Sequence, residues 1–60
     1  MMPTAYEARE ALCAAATEFQ RHTMRRPLDL EHARLLLVKA ATLERHAAEL
    51  IAALYREPQS

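Results

Sequence analysis

The residues best suited to chemistry are three histidines and one cysteine. His22, His32 and His46 each carry an imidazole that could ligate a metal. Di-iron helical bundles use a Glu-x-x-His spacing to aim a carboxylate and an imidazole at one ion, and zinc sites use pairs such as Cys-x-x-Cys. The sequence contains neither spacing, and no His-x-x-x-His pair. We therefore expect no metal site and no cofactor.

Cys13 could act as a nucleophile only with a base beside it. His22 follows it by nine residues, about two and a half helical turns, which is out of hydrogen-bonding range within one helix. The chain has no glycine from which to build a phosphate-cradling loop. We therefore predict that the protein is not an enzyme and that Cys13 is a small apolar residue at an interface.

Four arginines surround the proline in the middle of the chain: Arg21, Arg25, Arg26 and Arg34. Such a cluster suits phosphate groups, which makes an RNA- or DNA-binding regulator the alternative function. Nearby acidic residues dilute the cluster, however, and no aromatic residue lies among the arginines to stack on a base. A helix dipole also favours positive charge at a helix C-terminus, so charge compensation is the preferred interpretation.

Composition limits the binding partners and the cellular location that can be expected. The 60 residues have zero net charge, which gives no general attraction to nucleic acid or to an anionic membrane. The apolar run at residues 11–16 is too short to span a bilayer, and Glu7 and Glu10 precede it where a signal peptide would be basic. A single cysteine fits a reducing compartment. We therefore expect a cytoplasmic protein that does not enter a membrane.

The elements that carry these residues are predicted to be two helices. Thr4 and Glu7 have the spacing of a capping box, which begins a first helix at about residues 5–25. Pro27 disfavours helical geometry at the residue before it, and Asp29 is a good N-cap for the next helix.

The second helix is predicted at about residues 30–56, after a turn at about 26–29. A turn this short folds the helices back on each other. The predicted fold class is all-α, an antiparallel two-helix hairpin in which residues 1–60 form a single domain.

The apolar residues of each helix repeat at steps of three and four, the spacing of a coiled-coil seam. The first helix has the row Ala5, Ala8, Leu12, Ala15, Phe19 and His22, and the second has Ala33, Leu36, Ala40, Leu43, Ala47, Leu50 and Leu54. The second helix has more apolar surface than the first can cover, because residues 35–38 extend nearly around it. This surplus predicts that two hairpins form a homodimeric four-helix bundle.

Charge indicates a head-to-tail dimer. Residues 21–26 contain three arginines and no acid, whereas residues 1–20 sum to minus two, from three glutamates and one arginine. Head-to-tail packing sets each basic turn beside the acidic helix start of the other chain. Cys13 could then lie near the dyad, and Glu44 is expected to pair with an arginine of the partner chain. The predicted dimer or partner interface is Cys13, Leu35, Leu37, Val38, Glu44, Ile51, Leu54 and Tyr55.

Within that set, Leu35, Val38 and Tyr55 are expected to leave a stripe on which another protein can dock after dimerisation. The sequence therefore predicts a non-enzymatic interaction and oligomerisation module of regulatory or adaptor type, a plan common among small bacterial or phage-type proteins.

Overall fold

Two helices pack side by side in the structure, a computed structural model that describes residues 3–25 and 29–57. Helix α1 spans Ala5–Thr23 and helix α2 spans Leu30–Arg56. The hairpin measures 48 Å by 18 Å by 14 Å. No strand is present in these residues, so the predicted all-α hairpin is confirmed for the single chain. Neither helix is long and apolar enough to cross a lipid bilayer, within the part of the chain described.

Helix α1 begins with the predicted capping box. The Glu7 backbone N–H donates to the Thr4 hydroxyl at 3.1 Å, and the Thr4 N–H donates to the Glu7 carboxylate at 3.0 Å. Two of the amides that a helix start leaves without a partner are therefore satisfied by side chains.

Replacing Thr4 by alanine should remove one of these hydrogen bonds and cost about 1 kcal/mol of unfolding free energy. Thr17→Ala is the matched control, because the Thr17 hydroxyl only bonds the Cys13 carbonyl within α1 and alanine is the better helix former there. Thermal unfolding followed by circular dichroism should show a lower melting temperature for Thr4→Ala alone. Equal melting temperatures for the two variants would contradict the capping role.

Helix α1 ends two residues earlier than the sequence predicted. The Met24 and Arg25 amides donate to the carbonyls of Arg21 and His22, at 3.4 and 3.3 Å, so the last turn is closed by bonds that span three residues. This tighter turn satisfies late carbonyls and lets the chain leave the helix before Arg26, which lies outside the described residues together with Pro27 and Leu28.

Helix α2 has the predicted bounds. The Asp29 carboxylate accepts the His32 amide at 2.8 Å, as an N-cap should. At the other end, Glu57 has extended backbone angles, φ −75° and ψ 138°, before Pro58. The Glu57 amide still donates to the Ala53 carbonyl at 3.0 Å, which completes the last turn.

The end of the hairpin opposite the turn is closed by α2. The Ala5 amide donates to the Glu57 carboxylate at 2.6 Å, and the Arg56 guanidinium donates to the Pro3 carbonyl at 3.1 Å. A carboxylate is favoured at a helix N-terminus, because the helix dipole is positive there. These contacts join the start of α1 to the end of α2, as expected for two antiparallel helices.

The face of α1 toward α2 is the predicted row, whose members are all buried or half-buried. On α2, Leu36, Leu43 and Leu50 lie centrally in the contact as predicted, but Ala33 and Leu54 at the ends of the predicted seam are exposed. The contact instead includes a second row of α2, beside the three leucines. Its members are partly or fully buried: His32, Lys39, His46 and Ala53. Lysine and histidine can cover apolar surface with their stems while their polar tips stay hydrated or hydrogen-bonded, and a count of apolar residue types misses this.

Only Ala8 and Ala53 are fully buried among the described residues, at 2% and 0% exposure. Their small side chains let the two backbones approach closely. No large side chain is fully buried in the described chain. The hairpin alone therefore has very little core.

Candidate interaction surface

One face of α2 points away from α1 and is apolar along most of its length. Its positions recur at alternating steps of four and three, so they stay in line along a supercoiled helix. We call this face the outer stripe: Leu30, Arg34, Leu37, Ala41, Glu44, Ala48, Ile51 and Tyr55, all of them exposed.

The large side chains of the outer stripe are unusually accessible. Leu30 is 68% exposed, Leu37 72%, Ile51 56% and Tyr55 87%. Nine large hydrophobic residues are exposed in the described chain, and seven of them belong to α2. Contiguous apolar surface of this kind marks interaction sites on soluble proteins.

The predicted interface residues do not all share this face. Leu37, Glu44, Ile51 and Tyr55 lie on the outer stripe, and Leu54 lies between the stripe and the contact with α1. Leu35 and Val38 are exposed on the opposite side of α2 from Ile51, because each residue turns the helix by about 100°.

Cys13 is exposed on α1. When both helices are projected down their axes with their buried rows facing each other, Cys13 falls on the same side of the hairpin as Ile51. The spacing of Leu30, Ala41 and Ala48 could have added them to the predicted interface. Each fits the same heptad as Leu37 and Ile51.

Positive charge at the turn end of the hairpin is less concentrated than the sequence suggested. The Glu18 carboxylate lies 3.8 Å from the Arg21 guanidinium and 3.2 Å from the His22 imidazole. Arg25 is exposed beyond α1, whereas Arg34 belongs to the outer stripe and points away from α1. Arg26 lies outside the described residues. Arg34 therefore points away from the helix that carries Arg21.

His32 links the two helices near the turn. Its Nε2–H donates to the His22 carbonyl at 2.6 Å. That carbonyl belongs to the last turn of α1 and also accepts the Arg25 amide at 3.3 Å, so the imidazole is its second donor. The His22 ring is mostly covered, and its Nδ1 atom is buried without a hydrogen-bond partner in the described structure. His32 is thus a structural residue that caps the end of α1.

We expect His32→Ala to lower the unfolding free energy by about 1 kcal/mol, since the hydrogen bond between the helices is lost. His46→Ala is the matched control, because the His46 side chain is likewise half-buried, whereas its ring bonds Glu49 of its own helix, at 3.1 Å, and not a group of α1. Urea unfolding at equal protein concentration measures the difference. A larger effect for His46→Ala would contradict the capping role of His32.

The histidines do not converge with other ligands. Within residues 3–25 and 29–57, no three side chains among His, Cys, Asp and Glu come together in a geometry that could hold a metal ion. The interactions of His22, His32 and His46 are those of a helical scaffold.

The fold and its exposed stripe define a small all-α hairpin with an unpartnered apolar face. No protein-family model, curated protein sequence or solved structure matches the chain.

Proposed function

We propose that the protein is a non-enzymatic interaction module that acts as a homodimer, in which two hairpins form a four-helix bundle. The contact uses the outer stripe and the adjoining side of the hairpin that carries Cys13. The observation that carries this proposal is that, among its described residues, a single chain fully buries only two alanines while it exposes seven large hydrophobic residues of α2.

Energetics support a second subunit. A chain of about 60 residues buries only about 60% of its unfolded surface and is marginally stable without a disulfide, a metal or a partner chain. Moving a leucine or isoleucine side chain out of water contributes roughly 1.5–3 kcal/mol. Burial of Leu30 and Leu37 in both copies is therefore comparable to the whole stability expected of a lone hairpin.

Charge supports head-to-tail packing of the two copies. Glu7 and Glu10 are exposed in the first turns of α1, while Arg21 and Arg25 are exposed near its end. Opposed orientation brings acidic and basic ends together, which favours this arrangement over a parallel one. Leu35 and Val38 remain on another side of α2, where they offer a site for a further protein in a regulatory or adaptor role.

Sedimentation equilibrium tests the proposal directly. At micromolar concentration the mass should be twice the 6.8 kDa of one chain. Alkylation of Cys13 should also be slower in the dimer than in a dissociated variant. A monomer that stays folded at these concentrations would contradict the proposal.

The alternative function is nucleic-acid binding at the turn, supported by Arg21, whose side chain is 69% exposed, and by the exposed Arg25. Binding of this type should weaken steeply as salt rises. Arg21→Ala combined with Arg25→Ala should then abolish RNA or DNA retention without changing the sedimentation mass. Loss of the dimer in that variant would instead assign these arginines to contacts between subunits.

A further inference from the structure

We infer that the two copies pair α2 against α2 in antiparallel orientation, in the register that sets Arg34 of each chain against Glu44 of the other. This inference rests on the proposed homodimer and names the contact that aligns it. Both residues belong to the outer stripe, ten positions or about 15 Å apart along the helix.

The register follows from simple arithmetic. In two antiparallel helices related by a twofold axis, residues that face each other have numbers with a constant sum, and 34 plus 44 gives 78. The same sum sets Leu37 opposite Ala41 and Leu30 opposite Ala48. Large side chains therefore meet small ones in successive layers, which allows close packing of the helices. The apolar layers fit this register, and the charge pair selects it from the registers one heptad away.

Other alignments leave charges without partners. A shift of one heptad, to a sum of 85, sets Arg34 opposite Ile51 and Glu44 opposite Ala41. A parallel alignment sets Glu44 beside Glu44 and Arg34 beside Arg34. Burying a charge that has no oppositely charged partner costs more free energy than burying an ion pair. These alignments are therefore disfavoured.

Nothing in the described chain competes for the two charges. Neither Arg34 nor Glu44 makes an ion pair in residues 3–25 and 29–57, whereas Glu18 and Glu49 are each engaged by neighbours on their own helix. Both side chains are exposed in the single chain and free to meet a second copy.

Reciprocal charge exchange tests the register. Arg34→Glu places carboxylates opposite each other in a homodimer, and Glu44→Arg places guanidinium groups opposite each other. Each variant alone should dissociate at concentrations where the wild type is dimeric. An equimolar mixture should form a heterodimer in which both contacts are again of opposite sign, and the double variant should recover the homodimer. Glu49→Arg, the same change on another side of α2, is the control and should leave the mass unchanged.

The outcomes separate the two proposals. A wild-type monomer would overturn the dimer itself. A wild-type dimer whose single variants stay dimeric, or whose mixture fails to recover the heterodimer, would overturn the register alone. The mixture remains informative if either variant unfolds by itself, since recovery of folded heterodimer is the expected result.

A thiol bridge gives a second measurement of the register. In a Cys13→Ser background, chains with Leu37→Cys and chains with Ala41→Cys should form a mixed disulfide on mild oxidation. The expected product joins one chain of each kind. Homodimers of either variant in excess over the mixed product would contradict the register.

Discussion

Leu37→Glu should have the largest effect of any single change on the outer stripe. Leu37 is 72% exposed in one chain, so the substitution costs the isolated hairpin little, but the dimer loses a buried leucine from each subunit. That loss is roughly 3–6 kcal/mol per dimer, which raises the dissociation constant of the dimer by ~100-fold or more. Sedimentation equilibrium should show a monomer where the wild type is a dimer, together with reduced helicity.

The adjacent Val38→Glu is the matched control for this substitution. Val38 is 61% exposed and borders Arg34 and Ala41 of the outer stripe without belonging to it. Its replacement should therefore weaken the dimer much less than Leu37→Glu and impair mainly the binding of a further protein. If both variants dissociate equally, the contact is not confined to the outer stripe and the side near Cys13. If neither dissociates, the outer stripe is not the dimer contact.

Ala8→Leu should have the next largest effect, through the contact between the helices. Ala8 is 2% exposed, and a leucine there forces the two backbones apart. Overpacking of this kind costs about 1–3 kcal/mol, or a fall in melting temperature of roughly 4–8 °C per kcal/mol for a chain of this size. Ala14→Leu is the control, since Ala14 is exposed on the same helix and leucine is nearly as good a helix former.

The stabilities of Ala8→Leu and Ala14→Leu can be compared by thermal and urea unfolding at one fixed protein concentration. Only Ala8→Leu should be destabilised. Equal stability of the two variants would show that the helices do not approach closely at Ala8.

Local signals predicted most of the fold because the forces that set helix ends act over a few residues. Thr4, Glu7 and Asp29 cap the helices as their spacing indicated, since these hydrogen bonds join residues three apart. Periodicity also gave the buried row of α1. The early end of α1 was not predicted, because it depends on a single tightened turn before the proline.

Long-range polar contacts could not be read from the sequence. His32 and Lys39 replace part of the apolar seam, although their residue types indicate surface positions. Glu57 reaches the start of α1 across 52 residues of chain, and neither residue type nor local spacing marks that pair. Arg34 was predicted as a possible nucleic-acid contact, whereas its place on the outer stripe appears only once the buried face of α2 is known.

The contacts of Ala5 with Glu57 and of Pro3 with Arg56 bring both described ends of the chain to one end of a rod 48 Å long. Fluorescent groups attached near either end would thus report the same place on the molecule. Energy transfer between singly labelled copies would be weak in a head-to-tail dimer, whose labelled ends lie far apart. The same labels would give strong transfer in a parallel dimer, so light emission alone can distinguish the two orientations.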